Sequence, residues 1–526
     1  MAYTSIGYVV AGLAVQVLIA RILRLCWIVF WRPYAMIKSF EKQRIRGPSY
    51  SILHGTLPEM KSLLKAANET VLDTTCNDIA PRVQPHYCRW SAEYGEVFLF
   101  WRGVQPAIRI ADPKLAKQIL SDKSGAYAQP QFDHRLLSFA GNGVGQLNGP
   151  DWVRHRSILT PAFTKDKLKL MAKRMAACTM DMADDWKRRA ARTADHHQYI
   201  TIEMSEEFKK LTCDIITHTA FGSNHVEGGE VFKAQDELIH HCIATMADLY
   251  LPGSRFLPTP SNRQMWKMEN KVNSSLRRLI QGRLESAQAK GDSDGCYGDD
   301  VLGLLVEASK TTNKSLKLTM GEIIDECKQF FFSGHETTAK LLTWTIFLLS
   351  LHQEWQERLR EEVLTECGTG TPDADMVSKL KLMNMVILET LRLYCPVLET
   401  LKETSKATNL GDFLIPKGVF ITIQLVQLHR SREYWGEDAN DFNPLRFRNG
   451  VSQAAKHPNA FLSFGMGPRT CLGQNFAMLE VKLVLSLLLQ RFSFLLSPEY
   501  KHAPANYLTM EPQYGVPTAV KPLPSE

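Results

Sequence analysis

Features that mark several common protein classes are missing from this sequence. The chain of 526 residues contains eleven cysteines but no Cys-x-x-Cys pair. Because the cysteines are scattered and odd in number, they do not indicate a disulfide framework, and a reducing compartment is expected. No Gly/Ser-rich linker, internal repeat or low-complexity tract divides the chain after residue 50, which favours one large folded unit. The net charge of +7 is too weak to indicate nucleic-acid binding, and it suits an anionic membrane surface or an acidic protein partner.

Charge is also absent from the N-terminus. Met1 to Ala20 contains no charged side chain, and Arg21, Arg24 and Arg32 follow it. Twenty uncharged residues are about enough to cross a bilayer, and positive charges after the segment keep the C-terminal side in the cytosol. A cleaved signal peptide is the alternative, but no basic region precedes the apolar stretch. We predict a membrane anchor (1–32), a basic stem and hinge (33–50) and a folded domain (51–526).

Sequence periodicity predicts mainly helices with a smaller β-rich part. Alternation from Gly95 to Ile110 indicates a β-hairpin broken near Gly103. Helical periodicity dominates from Asp166 onward. Thr319 and Glu322 have the spacing of a capping box, and the helix that they begin is expected to run to about Leu351 and to cross the core.

Ten residues near the C-terminus, 464–473, carry the most distinctive pattern. They combine three glycines and a proline with Arg469 and Cys471, just before a long apolar helical run. Glycine lets the backbone approach a bulky group, and a cysteine at the start of a helix meets amide N–H groups that favour thiolate. A sulfur ligand, room for a macrocycle and a cation for a propionate are what haem-thiolate binding requires.

Three other interpretations compete for this stretch. A dinucleotide-binding turn lacks its third glycine, because Thr470 stands in that place, and it also lacks the acidic residue expected about 20 positions later. Zinc would need a second cysteine or histidine two to four residues away. A cysteine that is merely buried in the core remains possible on these residues alone.

Two further patterns have a functional and a structural interpretation. Trp152 and Arg156 lie four residues apart and share one helix face, where an indole N–H and a guanidinium can hold one anion; a solvated basic face is the alternative. Within the long helix, Gly334 to Thr338 places glycine, an acid and two threonines where each disfavours a helix. A structural kink is the alternative there.

An acid and a base three residues apart, Glu389 and Arg392, lie on one predicted helix. Most such pairs are surface salt bridges of little energetic value. Apolar neighbours indicate that this pair is partly buried, where each charge needs the other.

Together these stretches resemble the cytochrome P450 superfamily from about residue 45 to residue 520. Residues 464–473 match its haem loop F-x-x-G-x-R-x-C-x-G at every fixed position, and Gly334 to Thr338 match its oxygen-activating motif. Glu389 and Arg392 match E-x-x-R, and residues 442–447 resemble F-x-P-x-R-F. The stem, residues 257–263 and residues 512–515 look like the plant clan that hydroxylates fatty acids, terpenoids and isoprenoid hormones such as cytokinins, brassinosteroids and gibberellins.

The resemblance assigns roles to particular residues. It implies that Cys471 ligates the iron of haem b, and that Glu389 and Arg392 form with Arg446 a triad that fixes the cysteine loop. It implies oxygen activation at Gly334, Glu336 and Thr337. Haem contacts are expected from Trp152, Arg156, Lys402, Phe464, Gly467, Arg469 and Gly473. Substrate contacts are expected from Phe331, Phe332, Ser333, Thr338, Val397 and Leu398.

Three positions depart from the superfamily's usual pattern. Cys395-Pro396 replaces the usual Pro-Pro after the E-x-x-R helix. Lys402 stands where relatives often have an arginine, so the bidentate fork to a propionate is lost. Glu399 lies in a loop that usually makes apolar contacts, and we expect it to face water or, alternatively, a polar end of the substrate.

The expected function is that of a haem-thiolate monooxygenase on the cytosolic face of the endoplasmic reticulum, attached by one membrane span. Electrons are expected from NADPH through a separate cytochrome P450 reductase, and the substrate is expected to be a hydrophobic small molecule. Two alternatives are a haem-thiolate isomerase or dehydratase that uses no oxygen and a haem-binding protein without turnover. A pyridine-nucleotide oxidoreductase is a more distant alternative.

Overall fold

The structure, a computed structural model, describes residues 2–131, 133–192, 199–222, 225–246, 254–289 and 297–524. These residues are mainly helical with a smaller β component, as the sequence predicted. The α-helices are α1 (Ala2–Cys26), α2 (Arg32–Glu41), α3 (Leu57–Asn68), α4 (Ala80–Val83), α5 (Pro85–Tyr94), α6 (Pro113–Leu120), α7 (His134–Ala140), α8 (Gly149–Leu159), α9 (Lys165–Arg192), α10 (Met204–Ala220), α11 (His225–Met246), α12 (Pro260–Ala289), α13 (Val301–Lys310), α14 (Met320–Leu351), α15 (Gln353–Cys367), α16 (Ala374–Ser378), α17 (Lys381–Leu393), α18 (Leu425–Leu428), α19 (Arg432–Trp435) and α20 (Gln474–Leu489). The strands are β1 (Phe98–Arg102), β2 (Gln105–Ile110), β3 (Tyr127–Ala128), β4 (Ile200–Glu203), β5 (Glu399–Thr404), β6 (Thr408–Leu410), β7 (Phe413–Ile415), β8 (Phe420–Gln424), β9 (Phe492–Leu496), β10 (Pro504–Tyr507), β11 (Thr509–Pro512) and β12 (Pro517–Pro522).

The largest sheet in the described residues joins two distant parts of the chain. Its strand order is β1-β2-β8-β5-β3. The predicted hairpin of β1 and β2 turns at Gly103, whose φ of 63° is readily adopted by glycine. Strand β2 then pairs in parallel with β8, and β5 pairs with β8 in antiparallel register with Glu399 opposite Gln424. Residues near 100 are thereby placed beside residues near 400.

Helix α14 crosses the core, as predicted from its capping box. The Thr319 hydroxyl accepts from the N–H of Glu322, and the Glu322 side chain accepts from the N–H of Thr319. Nearly all side chains in the C-terminal half of the helix are buried. The helix packs closely against α10, because a Cβ added to Gly334 would lie only 2.7 Å from Cδ1 of Ile216.

The N-terminal helices partly belong to the folded body. The segment Gly12–Glu41 is long and apolar enough to cross a membrane. We expected residues 33–50 to be a stem and hinge, but Phe40 and Ile45 are buried in the apolar cluster beside the large sheet. The Tyr50 hydroxyl donates to the carbonyl of Val29 at 3.0 Å. Apolar burial therefore fixes this stretch to the domain, and the expected hinge is corrected.

Candidate active site

The cysteine loop is a tight turn that depends on glycine. Residues Gly467–Arg469 form a single 3₁₀ turn, and the N–H of Cys471 donates to the carbonyl of Phe464 at 2.9 Å. Gly467 has a φ of 71°, and a Cβ at that position would lie 2.4 Å from the carbonyl oxygen of Leu120. A larger residue would therefore push the loop away from α6. Gly473 ends the loop, and a Cβ there would meet no protein atom within 4 Å.

The thiol of Cys471 is accessible but lies deep in the protein. The residue is exposed and unpaired. Desolvation by the surrounding protein nevertheless raises the pKa of the thiol, and the Gly473 N–H and Arg156 offset only part of that rise. We expected the start of the helix to favour thiolate; in the protein itself, burial outweighs the amide and the cation. A thiol that is both accessible and desolvated lies on the wall of a recess.

Cations gather around this recess. Arg156 lies close enough to the Cys471 thiol to oppose the rise in its pKa, and the Arg469 guanidinium lies 4.7 Å from the centre of the Trp152 ring. Burial, and then repulsion by Arg156, lower the pKa of Arg469 to about 10. Burial, and then repulsion by Arg469, lower the pKa of Lys402 to about 7. The structure thus brings together these five residues from helix α8, strand β5 and the cysteine loop.

None of these three cations forms an ion pair with an acidic residue in the described parts of the chain. Lys402 donates to the Gln129 side chain at 2.8 Å, and Arg469 donates to the carbonyl of Leu147 at 2.6 Å. The Arg156 guanidinium and the Trp152 indole N–H have no hydrogen-bond partner among the described residues. Positive charge that no side chain neutralises suits an anionic ligand.

The residues expected to activate oxygen divide into two groups. Thr337 is only partly buried, and its hydroxyl donates to the carbonyl of Ser333 at 2.8 Å. Glu336 is buried, and its carboxylate accepts from the Thr509 hydroxyl at 3.0 Å and lies 3.4 Å from the Lys340 ammonium. Burial raises the pKa of Glu336, but Lys340 and His335 outweigh this and lower it overall. Glu336 is therefore held by a buried ion pair with Lys340, whereas the Thr337 hydroxyl is bonded to the backbone of its own helix, and the two side chains share no hydrogen-bond partner among the described residues.

Gly334 requires a correction. We expected the missing side chain to leave space for dioxygen, but that space is filled by Ile216 of α10, whose Cγ1 would lie 2.8 Å from an added Cβ. The glycine lets two helices approach each other. Sequence alone could not distinguish the two uses, because both require the absence of a Cβ.

The expected substrate contacts differ in how much accessible surface they offer. Val397, Ser333 and the partly buried Phe332 offer accessible surface. Phe331 is fully buried and stacks on Phe221 with ring centres 4.1 Å apart. It serves helix packing, so its predicted substrate contact is corrected. Thr338 and Leu398 are each only 3% exposed, which leaves them little surface to offer a substrate.

The three triad residues lie together. The guanidinium of Arg392 contacts both carboxylate oxygens of Glu389, at 2.7 and 2.8 Å, and the Arg446 Nε lies 3.4 Å from Glu389. Glu389 and Arg392 are fully buried, so neither charge has water as an alternative partner. The triad reaches the cysteine loop through a residue that the sequence did not single out: Arg392 donates to the carbonyl of His429 at 2.8 Å, and the His429 ring accepts from the N–H of Leu462 at 3.0 Å.

Other supporting residues were also missed. The His155 ring lies 2.6 Å from the carboxylate of Glu326, which also accepts from the N–H of Val144 at 2.7 Å. This buried pair joins α8 to α14 and so fixes the helix that carries Trp152 and Arg156. The only sign of this pair in the sequence was a histidine inside the basic segment 151–156. Its partner, Glu326, is too distant in sequence to be recognised from spacing.

Comparison with known proteins identifies the family. A family model described as cytochrome P450 matches residues 80–516. The chain belongs to the cytochrome P450 family. Over 506 residues it is 48% identical to cytochrome P450 709B1 of Arabidopsis thaliana, with 96% of each chain covered. It is 39% identical to cytochrome P450 734A6 of Oryza sativa subsp. japonica, covering 94% of this chain and 93% of the relative. It is 38% identical to secologanin synthase 1 of Catharanthus roseus, covering 96% and 95%.

Membership confirms the predicted enzyme class, that of a cytochrome P450 monooxygenase. The family implies a haem cofactor, a redox partner and a hydrophobic substrate. The residues of the recess fit haem: the accessible Cys471 thiol is a ligand of the kind that iron accepts, and the unneutralised cations suit two propionates. A Cβ added to Gly473 would meet no atom of the described residues within 4 Å, so packed protein does not block the approach of a ligand to this end of the loop.

Proposed function

We propose that this chain is a membrane-attached haem-thiolate monooxygenase that hydroxylates a hydrophobic small molecule. The observation that carries the proposal is the accessible Cys471 thiol in a recess whose cations, Arg156, Arg469 and Lys402, lack acidic partners in the described residues. Haem b bound there would supply oxygen activation with electrons from a redox partner.

Each residue of the recess has a defined task in this proposal. Cys471 binds iron, and Trp152, Arg156, Arg469 and Lys402 hold the propionates. Phe464, Gly467 and Gly473 shape the loop around the ring. The Glu389–Arg392–Arg446 triad holds that loop in place through His429. These contributions are positioning and charge balance.

Protons are delivered, in this proposal, by the partly accessible part of α14. The Thr337 hydroxyl donates to Ser333 and keeps lone pairs that can accept a hydrogen bond from water. Glu336 is ionised and paired with Lys340, so it passes a proton only when that pair opens. Thr337 is therefore the principal proton-handling residue, and Glu336 is secondary.

Electrons come from NADPH through a separate cytochrome P450 reductase, and the protein is anchored in the endoplasmic reticulum by a single span with the domain in the cytosol. The apolar helix at the N-terminus and the arginines that follow it support this orientation. Basic residues such as Arg21 and Arg24 also suit anionic lipid headgroups.

The substrate is a fatty acid, a terpenoid or an isoprenoid hormone such as a cytokinin, brassinosteroid or gibberellin. Similarity to plant enzymes such as secologanin synthase 1 supports this range of compounds. Phe332, Ser333 and Val397 each keep accessible surface, two of them apolar and one with a hydroxyl, and small-molecule sites commonly combine mainly apolar side chains with a few polar groups.

The absorption spectrum of the reduced, CO-bound protein tests the proposal. The parent is expected to show a Soret band far to the red of a histidine-ligated haem, and Cys471→Ser is expected to lose it. Cys76→Ser, a partly exposed cysteine outside the recess, is the matched control and should keep the band. A parent protein without haem, or Cys471→Ser with an unchanged band, would contradict the proposal.

A further inference from the structure

A cavity of about 510 Å³ lies between the N-terminal helices and the large sheet. Most of its lining comes from three parts of the chain: the helical segment that begins at Val29, residues 45–50 and strand β1. The lining side chains are mainly apolar, among them Phe30, Pro33, Tyr34, Ile37, Leu99 and Trp101. Sites for small molecules commonly have volumes of about 300–1,000 Å³ and mainly apolar linings. We call this space the N-terminal cavity.

Specific contacts fix the walls of the N-terminal cavity. The N–H of Leu99 donates to the carbonyl of Arg46 at 2.9 Å, so the chain at Arg46 runs beside β1. The Tyr50 ring packs on Trp101 with centres 4.8 Å apart, and the Tyr50 hydroxyl donates to the carbonyl of Val29. The cavity is therefore a defined space within the fold rather than a gap between loose segments.

The mouth of the cavity is apolar and exposed. Phe30, Tyr34 and Ile52 line the cavity and are each more than half exposed, and clustered exposed apolar side chains mark an interaction site. Trp27 and Trp31, on either side of Phe30, are also more than half exposed, and tryptophans are enriched where a bilayer meets water. The helix that carries both tryptophans is long and apolar enough to cross a bilayer. A bilayer that holds this helix therefore places lipid at the mouth.

One charged group in the lining has no partner. The Arg46 side chain is exposed and forms no ion pair or hydrogen bond in the described parts of the chain. The acidic residue of the lining, Glu41, contacts the Lys38 ammonium at 2.8 Å. Arg46 is therefore available to an anion at the edge of an apolar cavity.

Two neighbouring arginines are already engaged. Arg102 at the end of β1 forms an ion pair with Glu399 at the start of β5, so our expectation that Glu399 faces water is corrected. Arg32 at the start of α2 donates to the carbonyl of Gly418 at 2.9 Å. Arg46 is thus the cation that an anionic ligand of the N-terminal cavity would meet.

We propose that the N-terminal cavity binds one phospholipid of the bilayer, with an acyl chain among the apolar side chains and the phosphate bound by Arg46. A guanidinium donates charge-assisted hydrogen bonds to phosphate, and the acyl chain covers apolar side chains that otherwise face water. Anionic phospholipids bind more tightly than zwitterionic ones, because a choline cation in the headgroup repels Arg46. The inference goes beyond the proposed function, since it rests on the membrane attachment and on no step of catalysis.

Native mass spectrometry of the full-length protein in dodecyl maltoside counts the lipids that it retains. The probes are dioleoylphosphatidylglycerol, which is anionic, dioleoylphosphatidylcholine, which is zwitterionic, and farnesol, which has no phosphate. Ser49→Trp places an indole in the lining of the cavity, and Ser51→Trp, at an exposed serine outside the lining, is its matched control. Arg46→Gln removes the cation, and Arg44→Gln, at an exposed arginine outside the lining, is the control for charge.

The parent is expected to retain one phosphatidylglycerol more than Ser49→Trp does. Lipids that surround α1 are common to all variants and cancel in this comparison. Arg46→Gln should weaken phosphatidylglycerol binding about tenfold, the value of one charge-assisted hydrogen bond, and should weaken phosphatidylcholine binding less. Ser51→Trp and Arg44→Gln should behave like the parent.

Four outcomes would overturn the proposal. Equal retention of phosphatidylglycerol by Ser49→Trp and Ser51→Trp would mean that the cavity holds no lipid, and equal affinities of Arg46→Gln and Arg44→Gln would mean that Arg46 does not bind the phosphate. Farnesol that displaces the retained phosphatidylglycerol would show that a hydrophobe without phosphate occupies the cavity. A dimer that Ser49→Trp abolishes would show that the occupant is a second copy of the chain.

Failure of the proposed function has different signs. A parent protein that does not float with phosphatidylcholine vesicles would contradict the membrane attachment, and a parent without the red-shifted CO band would contradict the haem-thiolate site. Neither measurement depends on Ser49 or Arg46, so the two kinds of failure are distinguishable.

Discussion

The ring Nε2 of His429 accepts a hydrogen bond from the backbone N–H of Leu462 across 3.0 Å. Leu462 lies two residues before Phe464, where the cysteine loop begins. Because the carbonyl of His429 accepts from Arg392, one histidine connects the buried triad to the loop. The ring also stacks on Phe461, with centres 5.3 Å apart.

Replacing His429 by phenylalanine should loosen the cysteine loop. The ring stacking is retained, but the buried N–H of Leu462 loses its acceptor, which costs about 1–3 kcal/mol of unfolding free energy. We expect a lower urea midpoint and a smaller fraction of protein with bound haem. His54→Phe, at an exposed histidine, is the control. Equal urea midpoints for His429→Phe and the parent would contradict the role of this hydrogen bond.

Gly334→Ala tests the close contact between α14 and α10. The new Cβ would lie 2.7 Å from Ile216, and such overpacking typically costs about 1–3 kcal/mol. Ile216→Ala alone removes a buried side chain and should cost about 2–5 kcal/mol. In the double variant the alanines relieve each other's effect, so the loss of unfolding free energy should be smaller than the sum. If the losses of unfolding free energy measured by urea titration were strictly additive, the contact between Gly334 and Ile216 would not be the reason for the glycine.

Thr337→Ala should uncouple NADPH use from product formation. The hydroxyl lost is the partly accessible one next to Glu336 on α14, so electrons should be diverted to hydrogen peroxide while haem binding persists. Thr343→Ala is matched, because its hydroxyl donates to the carbonyl four residues earlier at the same 2.8 Å, but it is buried. Product and peroxide per NADPH are measured for both. If Thr337→Ala formed as much product per NADPH as the parent, Thr337 would have no role in oxygen activation and would only kink the helix.

Two truncations separate the anchor from the domain. Removing residues 1–31 should release much of the protein from membranes and preserve the haem spectrum. Removing residues 1–46 also deletes Phe40 and Ile45, which are buried beside the sheet, and losing a buried phenylalanine alone costs about 3–5 kcal/mol. We therefore expect the longer truncation to unfold at clearly lower urea. If the two truncated forms unfolded at the same urea concentration, residues 33–46 would not stabilise the domain, and the original prediction of a flexible stem would hold.

Stability should fall as the pH falls below about 6.5. Burial lowers the pKa of His429 to about 3 and those of His86 and His502 to about 4 from the usual 6.5. Between these values the unfolded chain binds more protons than the folded one, so the free energy of unfolding decreases with falling pH, by about 1.4 kcal/mol per pH unit for each histidine. Urea unfolding between pH 7 and about 4.5 measures this slope.

His502→Gln should make that slope shallower by about 1.4 kcal/mol per pH unit, whereas the exposed His54→Gln should not change it. A pH-independent unfolding free energy over this interval would mean that these histidines are protonated in the folded protein.

The sequence predicted those parts of the site whose residues lie within one short stretch. The cysteine loop, Trp152 with Arg156 and Glu389 with Arg392 each depend on spacing along one turn or one helix face, which local geometry fixes. Gln129, His429 and Ile216 could not be predicted, because each acts on a partner more than thirty residues away. Phe331 was wrongly predicted to contact the substrate, because apolar periodicity indicates that a ring is buried but not which neighbour it packs against, here Phe221.

The sequence by itself determined the family, the capped helix α14, the β1–β2 hairpin and the thiol of Cys471, since each is specified by residue type and local spacing. Only the tertiary structure decided that Gly334 serves helix packing, that residues 33–50 belong to the domain and that Glu399 pairs with Arg102. These relationships depend on pairing β2 with β8 and α10 with α14. Contacts between segments so far apart follow from packing of the whole core, which no local pattern encodes.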